Sequence, residues 1–183
     1  MKLIWMGHAS LRLEAAGQVI LIDPWTNGNP MLDDAQAAAA TQGATHILAS
    51  HGHFDHTADV VEVSKATGAP VSGIVELAGT LHDLGAVEGH AFNKGGTIEI
   101  GEVKVSLVPA SHSSTMKVGE THLSMGAECG FMITAEGKTI YVSGDTDIMA
   151  DMDWMADYYK PQIGILSAGG YYTMDMAGAA YAA

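Results

Sequence analysis

Four side chains of metal-ligand type lie within six residues, at His51, His53, Asp55 and His56 of the segment SHGHFDHTAD. Side chains alternate between two sides of an extended chain, so His51 and His53 can both point at one ion. Asp55 and His56 follow in a turn, from which they could reach a second ion. Neutral imidazole suits Zn²⁺, Mn²⁺ or Fe²⁺, and a carboxylate adds a hard oxygen ligand. This spacing is specific, and it favours a metal site over a polar loop with incidental histidines.

Four ligands in one loop cannot enclose two ions, so further ligands must come from other strand ends. His112, in PASHSS, follows the apolar segment VKVSLVPA, and Asp145, in YVSGDTD, follows another apolar segment. A carboxylate has two oxygens, which makes Asp145 the natural bridge between two ions. Taken singly, His112 could be a surface histidine and Asp145 a helix N-cap. Together with the histidine cluster, both are better explained as metal ligands.

The surrounding sequence predicts strands that end at these residues. KLIWM, LRLEA and QVILID are predicted strands, and THILAS leads a further strand into the histidine cluster. The alanine-rich segment DDAQAAAATQ predicts an exposed helix that begins near Asp33 or Asp34. The alternation of strands and helices repeats in outline after Ile98. This order predicts one domain over residues 1–183, with two β-sheets between helices.

Composition excludes several classes of partner. The chain has 21 acidic and 8 basic residues and a formal net charge of −13, without a cluster of Lys and Arg, so we expect no nucleic-acid partner. No apolar run approaches the roughly 20 residues of a spanning helix, so we expect no membrane association. The single cysteine, Cys129, excludes an internal disulfide and suits a reducing cytosol, which predicts a cytoplasmic protein.

The order of these motifs resembles a known family. HxHxDH, then a lone histidine in ASHSS, then SGDTD is similar to the metallo-β-lactamase superfamily of metal-dependent hydrolases. MGHASLRLE, LIDPWTNGNP and GGYYTMD resemble, more narrowly, its branch related to L-ascorbate-6-phosphate lactonase. The resemblance covers essentially the whole chain and implies an αββα sandwich with its site along one edge of the sheets. By the same resemblance, one metal is held by His51, His53 and His112, the other by Asp55 and His56, and Asp145 bridges them.

The family pattern also implies one ligand more than this sequence contains. The family usually continues past the TMD helix into a strand whose P-x-H-Y-like motif completes the second site. The sequence ends at Ala183 and has no histidine beyond His122. We expect either a C-terminally truncated fragment or a weak or vacant second site, with water, a substrate atom or another chain in that place. Apolar surface left uncovered would favour a homo-oligomer.

Four further residues are weaker candidates for substrate contact or for support of the ligands. The family places His8 and Asp23 near the metals, but each could equally belong to a structural turn. In GGYYTMD, Gly170 could allow close backbone approach and Tyr171 could contact substrate. A glycine turn capped by Thr173 at a helix start explains that segment equally well. His122 is expected in a loop that could flank the site.

The resemblance implies a hydrolase that acts on a small-molecule substrate. A hydroxide that bridges two divalent ions, zinc before manganese or iron, would attack a small ester, lactone, amide or phosphoester. Asp55 and Asp145 would be the catalytic residues that orient this nucleophile. The lactonase branch favours a lactone, ester or amide, because cationic anchors for a phosphate are scarce. Two alternatives stay open: a mononuclear enzyme of the same fold, for example with iron, and a catalytically silent metal-binding or assembly module.

Overall fold

The computed structural model describes residues 1–183, with the side chains of residues 1–33 and 35–183. Its strands are β1 (Lys2–Trp5), β2 (Leu11–Ala15), β3 (Gln18–Ile22), β4 (His46–Ala49), β5 (Val71–Ile74), β6 (Glu88–Phe92), β7 (Thr97–Ile100), β8 (Val103–Pro109), β9 (Thr115–Val118), β10 (Thr121–Ser124), β11 (Cys129–Ala135), β12 (Lys138–Val142) and β13 (Ile163–Ile165). Its helices are α1 (Asp34–Thr41), α2 (Phe54–Thr57), α3 (Val60–Thr67), α4 (Val75–Asp83), α5 (Asp151–Tyr159) and α6 (Met176–Ala182).

The first sheet contains six strands in the order β1-β2-β3-β4-β5-β6. β1, β2 and β3 are antiparallel neighbours, and β3 to β6 run parallel. The β2–β3 turn is tight because Ala16 and Gly17 both have positive φ, 49° and 73°. Parallel neighbours need longer crossovers, which α1, α3 and α4 supply here.

The second sheet contains five strands in the order β13-β12-β11-β8-β7. Its strands pair antiparallel, except that β13 returns through α5 to lie parallel to β12. β9 and β10 form a separate two-stranded hairpin. His122 therefore lies in β10 and not in the predicted loop, because it pairs with Lys117 of β9. The polar GETHLS sequence gave no apolar alternation from which this short strand could be recognised.

The main core lies between the two sheets. Leu13 and Ile47 of the first sheet and Leu107 and Phe131 of the second are completely buried in one hydrophobic cluster. All four residues of β5 are buried, as a parallel strand covered on both faces requires. α3 and α4 pack against β4, β5 and β6 of the first sheet. The order of layers on this side is therefore helices, first sheet, second sheet.

A smaller apolar cluster covers the outer face of the second sheet. Met155 of α5 packs there with Met132 and Tyr141, and Met149 and Met152 lie against the same cluster. The methionines that recur every three residues are thus core residues, as their helical spacing suggests. This cluster places α5 outside the second sheet and completes the four layers.

Two helix starts show how local caps set the ends of elements. Asp33 is the N-cap of α1, and its carboxylate accepts a hydrogen bond from the backbone N–H of Gln36. α6 begins after Asp175, whose side chain accepts from the N–H of Gly178. The expected Thr173 cap is wrong, because the Thr173 hydroxyl accepts instead from the N–H of Gly169. Among the helices described here, none has the length and apolarity that a membrane crossing requires.

The two sheets are joined at the edge where the candidate ligands lie. The loops after β4, β8 and β12 carry the histidine cluster, His112 and Asp145 to this edge. The N–H of Cys129 donates to the carbonyl of Ser50. The N–H of Gly52 donates to the hydroxyl of Ser114. These contacts hold the loops of one sheet against those of the other.

Candidate metal centre

Three imidazoles converge in what we call the first cluster: His51, His53 and His112. The distance from His53 Nδ1 is 3.0 Å to His51 Nε2 and 3.2 Å to His112 Nε2. Burial lowers the pKa of His51 to about 2 and also lowers the pKa of His53. The two therefore stay neutral, and their lone pairs are free to bind a cation. The donor set fits a transition-metal ion such as zinc.

Asp55, His56 and His8 form the second cluster, in which each residue offers a ligand atom within 4.8 Å of the others. Asp55 and His56 lie on the single turn of α2, which starts directly after His53. His56 Nε2 lies 3.8 Å from Asp55 Oδ2. The structure therefore places Asp55 and His56, the two predicted ligands of a second ion, next to each other and adds His8 beside them.

His56 Nε2 is a buried polar atom that has no hydrogen-bond partner among the described side chains. Such an orphaned group costs free energy unless a ligand satisfies it. Burial alone would lower the pKa of His56, but the carboxylates of Asp23 and Asp145 outweigh it and raise the pKa to about 10. A proton is therefore held among carboxylates at the point where a cation would lie, and the residues present fit a metal ion.

Asp145 lies between the two clusters. Its Oδ2 is 3.5 Å from His56 Nε2 and 3.7 Å from His112 Nε2. Burial would raise the pKa of Asp145, but His56, with smaller contributions from His51 and His112, lowers it to about 2. The carboxylate is thus an anion that faces a ligand of each cluster, which is the position that a bridging ligand needs.

The turn before Asp145 depends on a glycine. Gly144 has a φ of +62°, which residues with a side chain rarely adopt. A Cβ at this position would lie 2.7 Å from the carbonyl oxygen of Cys129. Glycine therefore lets β12 turn sharply beside β11 and deliver Asp145 to the site.

Asp23 is 1% exposed and orients one histidine of each cluster. Its carboxylate accepts hydrogen bonds from the Ser50 N–H, the Ser50 hydroxyl and His56 Nδ1, the last at 2.8 Å. Because the Ser50 hydroxyl donates to Asp23, it can accept from His51 Nδ1, 3.0 Å away. Both imidazoles then carry their proton on Nδ1 and direct Nε2 to the metal positions. Asp23 has a φ of +46°, as a turn residue can, and its carboxylate also lies behind the two imidazoles.

His8 approaches the ligand atoms more closely than the sequence indicated. Its Nε2 lies 2.8 Å from Asp55 Oδ2, and its ring packs edge-on against Trp25 with centroids 5.3 Å apart. Sequence reasoning treated His8 only as a supporting or substrate-contacting residue. The signal that could have placed it nearer the metals is its short distance in sequence from the end of β1, since strand ends meet at the same edge.

A cavity of about 850 Å³ opens over both clusters. Tyr171, which is 85% exposed, lines this cavity, whereas Gly170 lies in the adjacent turn and pairs its N–H with the carbonyl of Met174. His122 also lines the cavity from β10. Side chains around its mouth that could contact a substrate are Trp5, Phe54, Lys117, His122, Tyr171 and Tyr172.

The chain is similar in sequence to known metal-dependent hydrolases. A family model described as the beta-lactamase superfamily domain matches residues 2–183. The chain is 60% identical over 183 residues to a UPF0173 metal-dependent hydrolase of Ruegeria sp., and the match covers 100% of this chain and 80% of the relative. A UPF0173 metal-dependent hydrolase of Ruegeria pomeroyi is 56% identical with the same coverage.

Solved structures show the same relationship. The fold is similar to that of Igni18, a novel metallo hydrolase from the archaeon Ignicoccus hospitalis, with a TM-score of 0.86 and 30% identity over 98% of this chain and 76% of that one. The isothiocyanate hydrolase from Delia radicum gut bacteria shares the fold, with a TM-score of 0.71 at 19% identity over 100% of this chain and 79% of that one. The predicted αββα sandwich is confirmed. The chain belongs to the beta-lactamase superfamily, among its metal-dependent hydrolases.

Proposed function

We propose that this protein is a dinuclear metal-dependent hydrolase of small esters or lactones. The first cluster would hold one ion and the second cluster the other. The observation that carries the proposal is the position of Asp145 Oδ2, which lies within 3.7 Å of a ligand nitrogen from each cluster. A carboxylate shared in this way supports two ions side by side rather than two independent sites.

Two divalent ions in this arrangement would supply a hydroxide nucleophile near neutral pH and polarise the substrate oxygen. Asp145 and Asp55 would orient the nucleophile from their positions at the floor of the cavity. Asp23 would keep His51 and His56 in the tautomer that leaves each Nε2 free. The nitrogen-rich first cluster suits zinc, and the carboxylates of the second cluster also suit manganese or iron.

The cavity supports an uncharged carbonyl substrate. Trp5, Phe54, Tyr171 and Tyr172 surround its mouth with exposed aromatic surface. Lys117 is the cationic side chain among the described residues that line it, apart from histidines. Apart from the two ions, a phosphoester would find little positive charge at this place in a chain of net charge −13. The likeness of MGHASLRLE and GGYYTMD to the ascorbate-6-phosphate lactonase branch supports a lactone among the carbonyl substrates.

The test combines metal content with a substrate panel. Protein loaded with Zn²⁺ is expected to hold two ions per chain by elemental analysis and to hydrolyse at least one lactone or ester in a panel that also includes amides and phosphoesters. One tightly held ion, with activity unchanged in Asp55→Ala, would show a mononuclear enzyme instead. Two bound ions without hydrolysis of any class would indicate a metal-binding module that does not catalyse.

A further inference from the structure

We propose that His8 is itself a ligand of the second ion, through Nε2. This inference rests on the dinuclear function proposed above and names a residue of that site. His8 would join Asp55, His56 and the shared Asp145, so that the second ion has two nitrogen and two oxygen donors from residues 1–183.

The positions of the ligand atoms carry the proposal. His8, Asp55 and His56 each offer one ligand atom, and these three atoms all lie within 4.8 Å of one another. The separations are 2.8 Å from His8 to Asp55 and 3.8 Å from His56 to Asp55. Ligand bonds near 2.1 Å put neighbouring donors roughly 3 to 4 Å apart around one ion, so the group needs little movement to enclose it. The buried and unpartnered His56 Nε2 shows where that ion would lie.

The backbone at His8 is held in a conformation that directs the ring inward. His8 has a φ of +51°, in the left-handed region, after Gly7 with a φ of +96°. A Cβ at Gly7 would lie 2.5 Å from Met31 Cβ, so the turn packs closely against Met31. Trp5 donates from its indole N–H to the carbonyl of His8 at 2.8 Å. A strained residue that its neighbours hold in place is typical of a functional site.

The competing explanation is that His8 only orients Asp55 by a hydrogen bond. That role would also weaken metal binding when His8 is replaced, by roughly 10- to 100-fold, so affinity alone cannot separate the two. Direct ligation differs in one observable respect. In a cobalt-loaded protein, an imidazole bound to Co²⁺ through Nε2 has a strongly shifted proton resonance from its Nδ1–H, whereas an imidazole that only donates to a carboxylate has a much smaller shift.

The experiment compares the full chain with His8→Asn and with His90→Asn, both loaded with saturating Co²⁺. Asparagine tolerates positive φ, so the turn at position 8 is preserved. His90 is an exposed histidine of β6 outside both clusters, which makes it the matched control. We expect His8→Asn to lose one shifted imidazole N–H resonance. Its affinity for the second Co²⁺ should fall by more than roughly 100-fold, which exceeds the loss expected when a residue that only hydrogen-bonds a ligand is replaced. His90→Asn should keep every resonance and both affinities.

Two results would overturn the proposal in different ways. If the unmodified chain binds two cobalt ions and His8→Asn keeps the same number of shifted resonances, His8 is a positioning residue and the dinuclear function stands. If the unmodified chain binds only one cobalt ion, the dinuclear function itself fails, and the role of His8 fails with it. His8→Gly, in which glycine accepts the positive φ freely, repeats the test if the asparagine variant does not fold.

Discussion

The two clusters differ in the protonation of their histidines in the metal-free protein. The first consists of three imidazoles, and burial lowers the pKa of His51 to about 2 and keeps it neutral. In the second, carboxylates raise the pKa of His56 to about 10, so a proton sits among the ligand atoms. His51 is 1% exposed, whereas the His8 side chain is 43% exposed. In the first cluster, His51 and His53 offer free lone pairs, whereas the second cluster must release the proton of His56 to bind an ion.

Under the dinuclear proposal, the two positions would therefore bind the same metal with different affinity and different pH dependence. Asp145 and Asp23 are each linked to both clusters. Asp145 lies between their ligand atoms, and Asp23 binds His56 directly and His51 through the Ser50 hydroxyl, on the side away from the metal positions. Variants that remove the connections should affect both ions, and variants at one cluster should affect only one.

The largest effect is expected for Asp145→Asn. Loss of the charge removes a ligand from both ions, so activity and the affinity for each ion should fall by more than the roughly 100-fold that an outer-shell substitution costs. Isothermal titration with Zn²⁺, together with turnover of whichever ester or lactone the panel identifies, measures both. Asp147→Asn, two residues along the chain and exposed, is the control and should leave them unchanged. Unaltered binding of the first ion in Asp145→Asn would show that the carboxylate does not bridge.

A smaller loss, shared between the clusters, is expected for Asp23→Asn. Asparagine keeps the positive φ but has one acceptor oxygen. If that oxygen accepts from the Ser50 hydroxyl and His56 Nδ1, the amide NH2 faces the Ser50 N–H, which is also a donor. Both ions should weaken by roughly 10- to 100-fold. Ser50→Ala separates the two connections, because it removes the hydroxyl that links Asp23 to His51 and leaves the contact between Asp23 and His56 in place. Titration of that variant should show a weaker first ion and an unchanged second one, and a loss at the second ion alone would reverse the assignment.

The sequence predicted those parts of the site that depend on local spacing. HxHxDH after an apolar strand requires the two histidines to share a side, and the structure brings His51 and His53 together with His112. The strands were predictable because their apolar runs are bounded by glycine turns, as at Gly17 and Gly101. The paired sheets followed from the order of elements.

What the sequence could not supply are contacts between segments that are far apart along the chain. His8 and Asp55 are 47 residues apart, and only the meeting of two strand ends places their side chains at 2.8 Å. The connection from Asp23 through Ser50 to His51 likewise depends on β3 and β4 being parallel neighbours. The β9–β10 hairpin was missed because its residues are polar and mostly exposed, without the alternation that predicts a strand.

The clusters should also differ in how they affect the stability of the metal-free protein. His56 has a folded pKa of about 10 against an ordinary 6.5, so its contribution is present below pH 6.5 and is lost as pH rises toward 10. His51 has a folded pKa of about 2, so the unfolded chain binds its proton more readily, and stability falls as pH drops below 6.5. Asp145 adds to the acid loss between pH 3.8 and about 2.

Urea unfolding of EDTA-treated protein at a series of pH values tests whether His56 and His51 affect stability on opposite sides of pH 6.5. The free energy of unfolding should be greatest near pH 6.5 and should fall on the alkaline side with a slope of up to about 1.4 kcal/mol per pH unit, that of one proton. His56→Gln should flatten the alkaline side and also reduce the loss below pH 3.8, because His56 holds the pKa of Asp145 down, whereas His51→Gln should reduce the acid slope and leave the alkaline fall in place. Saturating Zn²⁺ should remove the alkaline fall, because the ion replaces the proton at His56. Identical profiles for the two variants would contradict the distinction between the clusters.

The smallest effect is expected at Asp59, which touches neither cluster but holds the loop that supports His8. Its carboxylate accepts from the N–H groups of Thr26 and Asn27, both at 2.6 Å, and the adjacent Trp25 packs edge-on against the His8 ring. Asp59→Asn should loosen this loop and lower the affinity for the second ion by less than roughly tenfold. Replacing a residue that hydrogen-bonds a metal ligand costs at least that much, and Asp59 is one contact further from the ligand.

The first ion provides the internal control for this variant. Its three ligands lie after β4 and β8, away from the 24–28 loop, so its affinity should be unchanged in Asp59→Asn. Glu62→Gln, on the exposed face of α3 with only a surface pair to Lys65, is the matched substitution and should change neither ion. Competition titrations with Co²⁺ resolve a few-fold change. If the affinity for both ions fell equally, Asp59 would act on the general stability of the loops. That result would contradict the inference that Asp59 affects the second cluster through the His8 turn.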